Sequence, residues 1–438
     1  MLKTPEKIRE LQRKLYQKAK QEKEFRFYLL YDKVYRMDIL DHAYKLVKAN
    51  KGACGVDRVT FESIEKMERV QGYLGSIAQE LKDKVYKPMP VRRLYIPKPD
   101  GNKRPLGIPT IKDRIVQMAV KILIEPIFEA DFQENSYGFR PNKNAHQAVD
   151  DISYHLVKGK TQVIDADISK YFDTIPHDKL LKLVAKRVVD RNILRLIKLW
   201  LKAPIVEEGE DGKTRYKGND RGTPQGGVIS PLLANIYLNV LDTIWKLKKV
   251  QERLGARLIR YADDFVVLSK DNAERVLRGV KAVLCELSLN LNNDKTRVIE
   301  ANHESFNFLG FTITLLKNPK TGKKFPLRRP SKKAVKHIRA EIRELTCKKY
   351  HTLPVDTVVT KLNEVVKGWT GYFYYAHCSR SMSILKHYLE RRVMIFLRRK
   401  HKKTNFSYSF DYLYDSLGLY KIPLTAPWTQ AAKASGRR

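Results

Sequence analysis

Two adjacent aspartates, Asp263 and Asp264, stand between two short apolar runs, Leu258-Ile259 and Phe265–Leu268. Apolar, β-prone runs on both sides of a polar Ala-Asp-Asp centre predict a hairpin with two carboxylates at its tip. Adjacent carboxylates repel each other, so a fold that keeps them in a tight turn needs a cation, and hard divalent metals prefer such oxygens. The pattern therefore indicates a metal-binding hairpin of the kind used in phosphoryl transfer. An ordinary polar turn is the alternative that these residues leave open.

A second acidic cluster, Asp165 and Asp167, stands earlier in the chain within Gln162-Val-Ile-Asp-Ala-Asp167. This run predicts a buried strand that passes into a helix near Ser169. Side chains two positions apart lie on the same face of a strand, so position alone does not rank the two aspartates. Two strands that each carry carboxylates at one end would supply the three acids of a two-metal site. A purely structural role for either cluster stays open.

The charge balance predicts a polyanionic partner. Lys and Arg number 85 against 48 Asp and Glu in 438 residues, which gives a formal net charge of +37. Such an excess opposes folding by self-repulsion, so nucleic acid is the expected partner. A membrane partner is not expected, because the sequence has no run of about 18 apolar residues and no signal-peptide core. The 4 cysteines form no Cys-x-x-Cys pair, which favours reduced thiols in an intracellular protein over zinc or disulfides.

The hydrophobic pattern divides the chain into four segments. Residues 1–38 form a basic, aromatic-bearing extension that is expected to be helical, and strands alternate with helices through 39–315. A helical block follows over 316–403, and 404–438 form a short tail. The block is the most basic part, since residues 317–403 hold 24 Lys or Arg against 5 Asp or Glu. These Lys and Arg residues outnumber the acids that could pair with them in salt bridges, so we expect a surface that binds along a phosphate backbone.

Several elements can be predicted inside these segments. Apolar residues at helical spacing predict a helix over Ile111–Phe128. The alternating segment from Val91 is expected to be a strand that enters a turn at Pro99–Gly101. The run Phe306–Ile313 predicts one further aromatic-rich strand. Helices are expected in the basic block near 331–346, 355–376 and 382–400.

A collinear series of short motifs runs between about Ile39 and Tyr375. Its members are Ile96-Pro-Lys-Pro-Asp-Gly101 with Arg104-Pro-Leu-Gly-Ile-Pro-Thr-Ile-Lys-Asp-Arg114, Ser136-Tyr-Gly-Phe-Arg-Pro141, Asp167-Ile-Ser-Lys-Tyr-Phe172, Gly222-Thr-Pro-Gln-Gly-Gly-Val-Ile-Ser-Pro231, Tyr261-Ala-Asp-Asp264, Asn292-Asn-Asp-Lys295, Phe308-Leu-Gly-Phe311 and Gly368-Trp-Thr-Gly-Tyr-Phe373. The series resembles that of group II intron-encoded reverse transcriptases of the maturase type. The last motif is similar to the signature of the maturase thumb. A series of this length in this order is highly specific.

The resemblance implies a right-hand polymerase of the α/β (α+β) class. Fingers and palm would occupy 39–315, with a mixed or antiparallel palm sheet, and an all-α thumb would occupy 316–403. The tail 404–438 would hold at most a reduced DNA-binding module. Members of the family often carry a C-terminal endonuclease with paired cysteines. Nothing of that kind follows Lys403, so a short form without second-strand cleavage is expected.

The resemblance also separates the two aspartates of the earlier cluster. In the family the metal-binding acid precedes a bulky aromatic residue by five positions, which selects Asp167 with Phe172 and makes Asp165 a supporting residue. Asp263 matches the second metal ligand, and Asp264 matches the third catalytic carboxylate. The implied cofactor is Mg²⁺, as two ions held by these three acids, with Mn²⁺ as a substitute.

Further residues receive their roles from the resemblance alone. Phe172 would act as a steric gate whose ring fills the space of a ribose 2′-hydroxyl. Gln225 would lie beside the template–nucleotide pair, and Lys295 near the leaving pyrophosphate. The cations expected to grip the triphosphate are Lys98, Arg104 and Arg114. The residues expected along the template and primer are Tyr137, Phe139, Arg140, Tyr261 and Gly310, with core packing open for Tyr137 and Phe139. Neither His146 nor His177 has ligand-like neighbours.

The implied function is RNA-directed DNA synthesis by an intron-encoded protein that also aids splicing and supports retrohoming by target-primed reverse transcription. The implied partners are group II intron RNA, an RNA template with a DNA primer, target DNA and deoxynucleoside triphosphates. The expected location is the bacterial cytoplasm, with the nucleoid or a ribonucleoprotein, or its organellar equivalent. Two alternatives stay open: a host-adopted relative used in defence or repair, and an RNA-binding splicing factor whose active site is idle.

Overall fold

A computed structural model of the chain describes residues 2–67, 69–97, 103–208, 214–402 and 408–424. The chain forms two compact units. The first unit comprises residues 1–144, 164–267 and 272–297, and the second comprises 145–163, 268–271 and 298–438. The predicted boundaries at 39, 316 and 404 stay predictions, because this division is by packing alone.

The described residues form helices and strands in alternation, followed by a helical run. The helices are α1 (Glu6–Gln21), α2 (Tyr31–Val34), α3 (Met37–Ala49), α4 (Phe61–Met67), α5 (Arg69–Lys82), α6 (Ile111–Glu129), α7 (Ala145–Val157), α8 (Tyr171–Thr174), α9 (His177–Ala185), α10 (Arg191–Lys202), α11 (Ser230–Leu247), α12 (Val250–Leu254), α13 (Ala273–Glu286), α14 (Lys332–Leu345), α15 (Val355–Phe373) and α16 (Ser379–Lys400). The strands are β1 (Val91–Pro97), β2 (Lys103–Ile108), β3 (Gln162–Asp167), β4 (Ile205–Glu208), β5 (Thr214–Lys217), β6 (Arg257–Tyr261), β7 (Asp264–Ser269), β8 (Arg297–Glu300), β9 (Phe306–Phe308), β10 (Phe311–Lys317) and β11 (Lys324–Pro330).

The first unit contains a four-stranded sheet in the order β2-β1-β4-β5. Strands β1 and β2 pair antiparallel, with Leu94 opposite Leu106, and β1 pairs parallel with β4. The strand predicted from Val91 is therefore confirmed. Its predicted turn at Pro99–Gly101 lies outside the described residues. The antiparallel β4–β5 pair was not predicted.

Helix α6 lies at the centre of the first unit's core and confirms the helix predicted over Ile111–Phe128. It begins at a capping residue, because the side chain of Thr110 accepts a hydrogen bond from Asp113 N at 3.1 Å. The Asp113 carboxylate in turn accepts from the hydroxyl of Tyr86 at 2.6 Å. Buried apolar side chains follow on every turn of the helix, which packs against α1 and α3. The cap and the core therefore fix the same helix from its end and its sides.

The N-terminal extension is part of the first unit. It is helical over α1 and α2, as predicted, but Phe27 between them is extended and bridges to Val188. The guanidinium of Arg187 donates to Ala19 O at 2.6 Å, which holds the end of α1. Ile8, on the inner face of α1, is fully buried. The extension therefore belongs to the core of this unit.

The second unit corrects one prediction. Phe306–Ile313 is two strands, β9 and β10, joined by Leu309 and Gly310 with Phe311 paired to Phe308. Both turn residues have positive φ, +48° and +80°, which is the geometry of the tight hairpin turns that match the twist of antiparallel strands. An apolar leucine at a left-handed position gave no turn signal in the sequence. Strand β11, which pairs with β10, was also not predicted.

The three helices predicted for the basic block are confirmed as α14, α15 and α16. The side chain of Ser331 caps α14 by accepting from Ala334 N at 3.1 Å, and Pro354 immediately precedes α15. Helix α14 packs against both others through Ile338 and Ile342, which are fully buried. No helix in the described part of the chain has the length and apolar character needed to cross a membrane.

Candidate active site

The turn between β6 and β7 carries the first acids of the site. Strand β6 ends at Tyr261 and β7 begins at Asp264, so Ala262 and Asp263 form the turn. Ala262 has a φ of +57°, in the left-handed region that costs a non-glycine residue about 1–2 kcal/mol. The predicted hairpin is confirmed, with Asp263 in its turn and Asp264 at the start of the returning strand.

Strand β3 lies beside β7 and carries the second acidic cluster. Asp165 and Asp167 are both half-buried, whereas Ala166 between them is buried, so the two aspartates share one face as predicted. Each of them faces a cation from a later segment. Lys295 Nζ donates to Asp167 Oδ2 at 2.8 Å, and Arg297 Nε lies 3.6 Å from Asp165 Oδ2.

The charges of the β3 acids act on both hairpin aspartates. Burial raises the pKa of Asp263, and the charge of Asp167 raises it further. Desolvation by the surrounding protein, followed by the charges of Asp263, Asp167 and Asp165, raises the pKa of Asp264 to about 6. Nearby like charges raise a carboxyl pKa because they disfavour its ionised form. The three predicted catalytic acids therefore share one electrostatic environment.

The chemistry of this donor set fits a hard divalent cation. Carboxylate oxygens are the ligands that Mg²⁺ prefers, and a cation relieves the repulsion among them. Across the residues that the structure describes, however, no group of three or more acidic, His or Cys side chains is arranged to hold a metal ion. Lys295, an exposed residue, is paired with Asp167 Oδ2 instead. Metal binding at that oxygen has to displace an ammonium group, and the metal site stays a prediction.

Phe172 follows the end of β3 in the chain and lies in the short helix α8. Its ring is buried and packs edge-on against Tyr171, with 5.4 Å between ring centroids. Its carbonyl oxygen accepts a hydrogen bond from Thr223 N at 2.7 Å. Gly222 permits this contact, because it has a φ of +87° and a Cβ there would lie 2.6 Å from Phe172 O. The loop that carries Gln225 is thus seated on the backbone of Phe172.

Gln225 links this loop to strand β2. Its side-chain oxygen accepts from Arg104 Nε at 3.1 Å, and its backbone oxygen accepts from Gly107 N at 2.6 Å. Arg104 is also one of the cations that counteract the raised pKa of Asp263, whose main cause is burial. The structure therefore brings together two predicted nucleotide contacts, Arg104 and Gln225, within electrostatic range of a predicted catalytic acid.

The other two predicted cations of the fingers differ from Arg104. Lys98 lies outside the described residues. Arg114 is buried, donates to Ala53 O and packs against Gly52, where a Cβ would lie 2.6 Å from its Nη1. Burial lowers the pKa of Arg114. This arginine supports a loop from inside the unit and does not face solvent.

Two of the residues expected along the template lie side by side. Phe139 is 51% exposed, and its ring centroid is 6.4 Å from that of Tyr261. Tyr137 is buried, and Arg140 is held by Glu129 through an Nη2–Oε1 ion pair of 2.6 Å. The guanidinium of Arg140 also donates to two backbone carbonyls of its own loop. Arg140 therefore organises this loop, while exposed Phe139 lies beside the partly buried Tyr261 at the end of β6.

Gly310 belongs to the second unit, where it completes the β9–β10 turn. A Cβ at this position would lie 3.1 Å from the ring of Phe373, so the glycine allows close packing. In the same unit His146 stacks on Tyr375 with 4.2 Å between centroids. His177, in the first unit, contacts a backbone oxygen at 2.7 Å. Both histidines have packing partners of this ordinary kind.

A buried polar network beneath the acidic hairpin was not predicted. Arg260 is fully buried and contacts the carboxylate of Asp242, with an Nε–Oδ2 distance of 3.0 Å. Asn235 accepts from Arg260 Nη1 at 2.9 Å, and Asn135 donates to Asp242 Oδ1 at 2.8 Å. One signal was present in the sequence. A charged residue inside an apolar strand needs a buried partner, and Arg260 follows Leu258-Ile259 directly.

Comparison with known protein families gives the class of this chain. Residues 96–313 match the family described as reverse transcriptase (RNA-dependent DNA polymerase), and residues 335–411 match the group II intron, maturase-specific domain. The mixed α/β architecture and the acidic hairpin agree with the palm of a right-hand polymerase. The fold and the site therefore define an RNA-directed DNA polymerase.

Similar curated proteins give the family. The chain is 35% identical to Protein YkfC of Escherichia coli over an alignment that covers 70% of this chain and 88% of that protein. It is 28% identical to the group II intron-encoded protein LtrA of Lactococcus lactis subsp. cremoris over an alignment that covers 91% of this chain and 78% of that protein. The chain belongs to the group II intron-encoded reverse transcriptase/maturase family. The predicted fold class and the predicted activity, RNA-directed DNA synthesis with maturase function, are confirmed.

Proposed function

We propose that Asp167, Asp263 and Asp264 are the catalytic carboxylates, and that they hold two Mg²⁺ ions, or Mn²⁺ in their place. The observation that carries this proposal is that the charge of Asp167, at the end of β3, raises the pKa of both hairpin aspartates. The bound metals would supply positive charge to the triphosphate and to the attacking 3′-oxygen of the primer. Asp165, paired with Arg297, would support Asp167 from its own strand.

The nucleotide would be gripped from the β2 side of the site. Arg104 is exposed and can donate charge-assisted hydrogen bonds to phosphate oxygens. Gln225 holds that guanidinium in place until the nucleotide arrives. Lys98 would add a second cation, while Arg114 would stabilise the neighbouring loop. Lys295 would leave Asp167 when metal binds and neutralise the departing pyrophosphate.

The template and primer would pass over the aromatic pair formed by exposed Phe139 and partly buried Tyr261. Aromatic side chains accept stacked bases without regard to sequence, which suits a polymerase that copies any template. Tyr137 and Arg140 would keep this surface in position, and Gly310 would allow close packing at the base of the thumb.

The basic block is proposed to bind duplex RNA and hybrid backbones. Its 24 Lys or Arg against 5 Asp or Glu over residues 317–403 suit phosphate contacts, because A-form helices are recognised by shape and backbone. In this proposal 39–315 are fingers and palm, 316–403 are the thumb and 404–438 are a tail. Group II intron RNA, target DNA and deoxynucleoside triphosphates are the partners, and retrohoming takes place in a bacterial cell or an organelle.

Two assays on the full chain test this function. Primer extension on poly(rA) with oligo(dT) and Mg²⁺ should give DNA synthesis, and the intron RNA that surrounds the gene should splice faster with the protein. Synthesis without any effect on splicing would support a host-adopted polymerase. Faster splicing without synthesis would support a splicing factor with an idle active site.

Replacing Phe172 with Ala should relax the choice of sugar. The ring follows Asp167 in the chain and is buried, so its removal opens space for a 2′-hydroxyl. We expect the ratio of deoxynucleotide to ribonucleotide incorporation to fall by about 10–100-fold, the range over which a pocket rejects one added hydroxyl. The ratio is measured on a single enzyme preparation, so a lower active fraction does not affect it. An unchanged ratio would remove the gate assignment.

A further inference from the structure

The turn that presents Asp263 is contacted from below by a buried arginine. Arg260 Nη1 donates to Ala262 O at 2.9 Å, and its side chain has no solvent exposure. Ala262 is held in a left-handed conformation with a φ of +57°. Such a conformation is maintained only when the surroundings impose it. The hydrogen bond from Arg260 fixes the orientation of the Ala262 carbonyl group and so helps to hold Ala262 in this conformation.

The same turn is contacted from its other side by a glycine. A Cβ on Gly138 would lie 2.4 Å from Ala262 N and 2.8 Å from Tyr261 C, so the two backbones touch. The neighbouring residue extends this contact, because Tyr137 N donates to Arg260 O at 2.8 Å. The turn is therefore enclosed between the Gly138 backbone and the Arg260 side chain.

Asn235, on helix α11, connects the two sides. Its Nδ2 donates to Gly138 O at 2.7 Å, and its Oδ1 accepts from Arg260 Nη1 at 2.9 Å. Asp242 lies two turns further along the same helix face and pairs with the rest of the guanidinium. All of these groups, including Gly138, are at least nine-tenths buried. One helix thus sets the position of both contacts.

We propose that Asn235, Arg260 and Gly138 form a brace that positions the Ala262-Asp263 turn for catalysis. Asn235 is a positioning residue in this proposal, since it acts through two groups that touch the turn. Reacting groups lose about a hundredfold in rate when they are misplaced by about 1 Å. The brace would hold the Asp263 carboxylate to that tolerance while the template and nucleotide move. This inference rests on the catalytic role proposed for Asp263.

Single-turnover primer extension with purified Asn235→Ala and Gly138→Ala tests the brace. Asn235→Ala leaves the Arg260–Asp242 pair intact, and Gly138→Ala moves the turn from the opposite side. Asn239→Ala is the matched control, because it lies one turn along α11 and its buried Oδ1 has no hydrogen-bond partner among the described residues. We expect both brace variants to lower the rate constant for dTTP addition by about 10–100-fold. The reaction amplitude and the KM for dTTP should stay within about twofold of the control.

Three results would overturn the inference or separate it from the proposed function. A rate constant in Asn235→Ala equal to that in Asn239→Ala would show that the turn does not need the brace. A lower amplitude with an unchanged rate constant would assign the network to folding alone. Asp263→Asn in the same assay isolates the underlying role: if it also has no effect, the proposed function fails, whereas an inactive Asp263→Asn beside unaffected brace variants refutes only the inference.

Discussion

Replacing Asp263 with Asn should lower the rate of DNA synthesis about a thousandfold or more, while affinity for a template–primer duplex is retained. Asn has nearly the same shape as Asp but carries no charge, so the turn can keep its conformation while one predicted metal ligand is lost. Primer extension gives the rate, and fluorescence anisotropy of a labelled RNA–DNA hybrid gives the affinity. Duplex affinity should be unchanged because it depends on basic residues elsewhere.

The same substitution should leave the metal-free protein as stable as the native chain or more stable. The folded-state pKa of Asp264 is raised from 3.8 to about 6, so ionising this carboxyl lowers the stability of the fold progressively across that pH range and by its full amount above about pH 6. Removing the charge of Asp263 should lower the pKa of Asp264, which NMR titration of Asp264 would detect. It should also reduce the free energy lost by ionising Asp264 in the folded state, which thermal unfolding at pH 7 in EDTA would detect. Asp271→Asn, an exposed aspartate beyond β7, is the control. Full synthesis by Asp263→Asn would contradict the proposed catalytic role.

The parts of the fold that could be predicted are those whose signals are local. The hairpin at Ala262-Asp263 follows from two apolar runs and a polar centre, and α6 follows from apolar residues at helical spacing. The three helices of the basic block were visible for the same reason. In contrast, Leu309 in a left-handed turn has no local signature, because the β9–β10 pairing imposes that conformation on it. Tertiary pairing outweighs local preference there.

The candidate site shows the same limit for charged residues. Motif resemblance selected Arg104, Arg114 and Arg140 together, yet only Arg104 is exposed in the described structure. Arg114 and Arg140 are buried against loops and an acidic partner, which depends on contacts distant in the sequence. The sequence of a motif does not indicate whether its Lys or Arg side chain faces a ligand or supports the neighbouring loop. The pairing of Lys295 with Asp167 was equally hidden, since these residues are far apart in the chain.

Replacing Asp242 with Ala should lower the free energy of unfolding of the first unit by about 3–5 kcal/mol. Asp242 and Arg260 have no exposed side-chain surface, so the substitution leaves a buried guanidinium without its counter-charge. Asn135 also loses its acceptor. Hydrogen exchange of the α11 amides reports this energy for the first unit separately. Asp41→Ala is the control, because Asp41 is only partly buried and its partner Lys45 is exposed, so loss of this pair should cost less than about 1 kcal/mol.

A double substitution separates the stabilising role of this pair from its positioning role. Asp242→Leu with Arg260→Met removes both charges together, and such exchanges of buried pairs for apolar groups are often neutral, so stability should return to within about 2 kcal/mol of the native chain. We expect this double variant to synthesise DNA more slowly than the native chain, because the Arg260 side chain no longer donates to Ala262 O. If Asp242→Ala lowers the free energy of unfolding no more than Asp41→Ala does, the ion pair with Asp242 is not what holds Arg260 beneath the turn. If the double variant regains both stability and synthesis, the turn keeps its conformation without the arginine, because Gly138 and the strand pairing suffice to hold it.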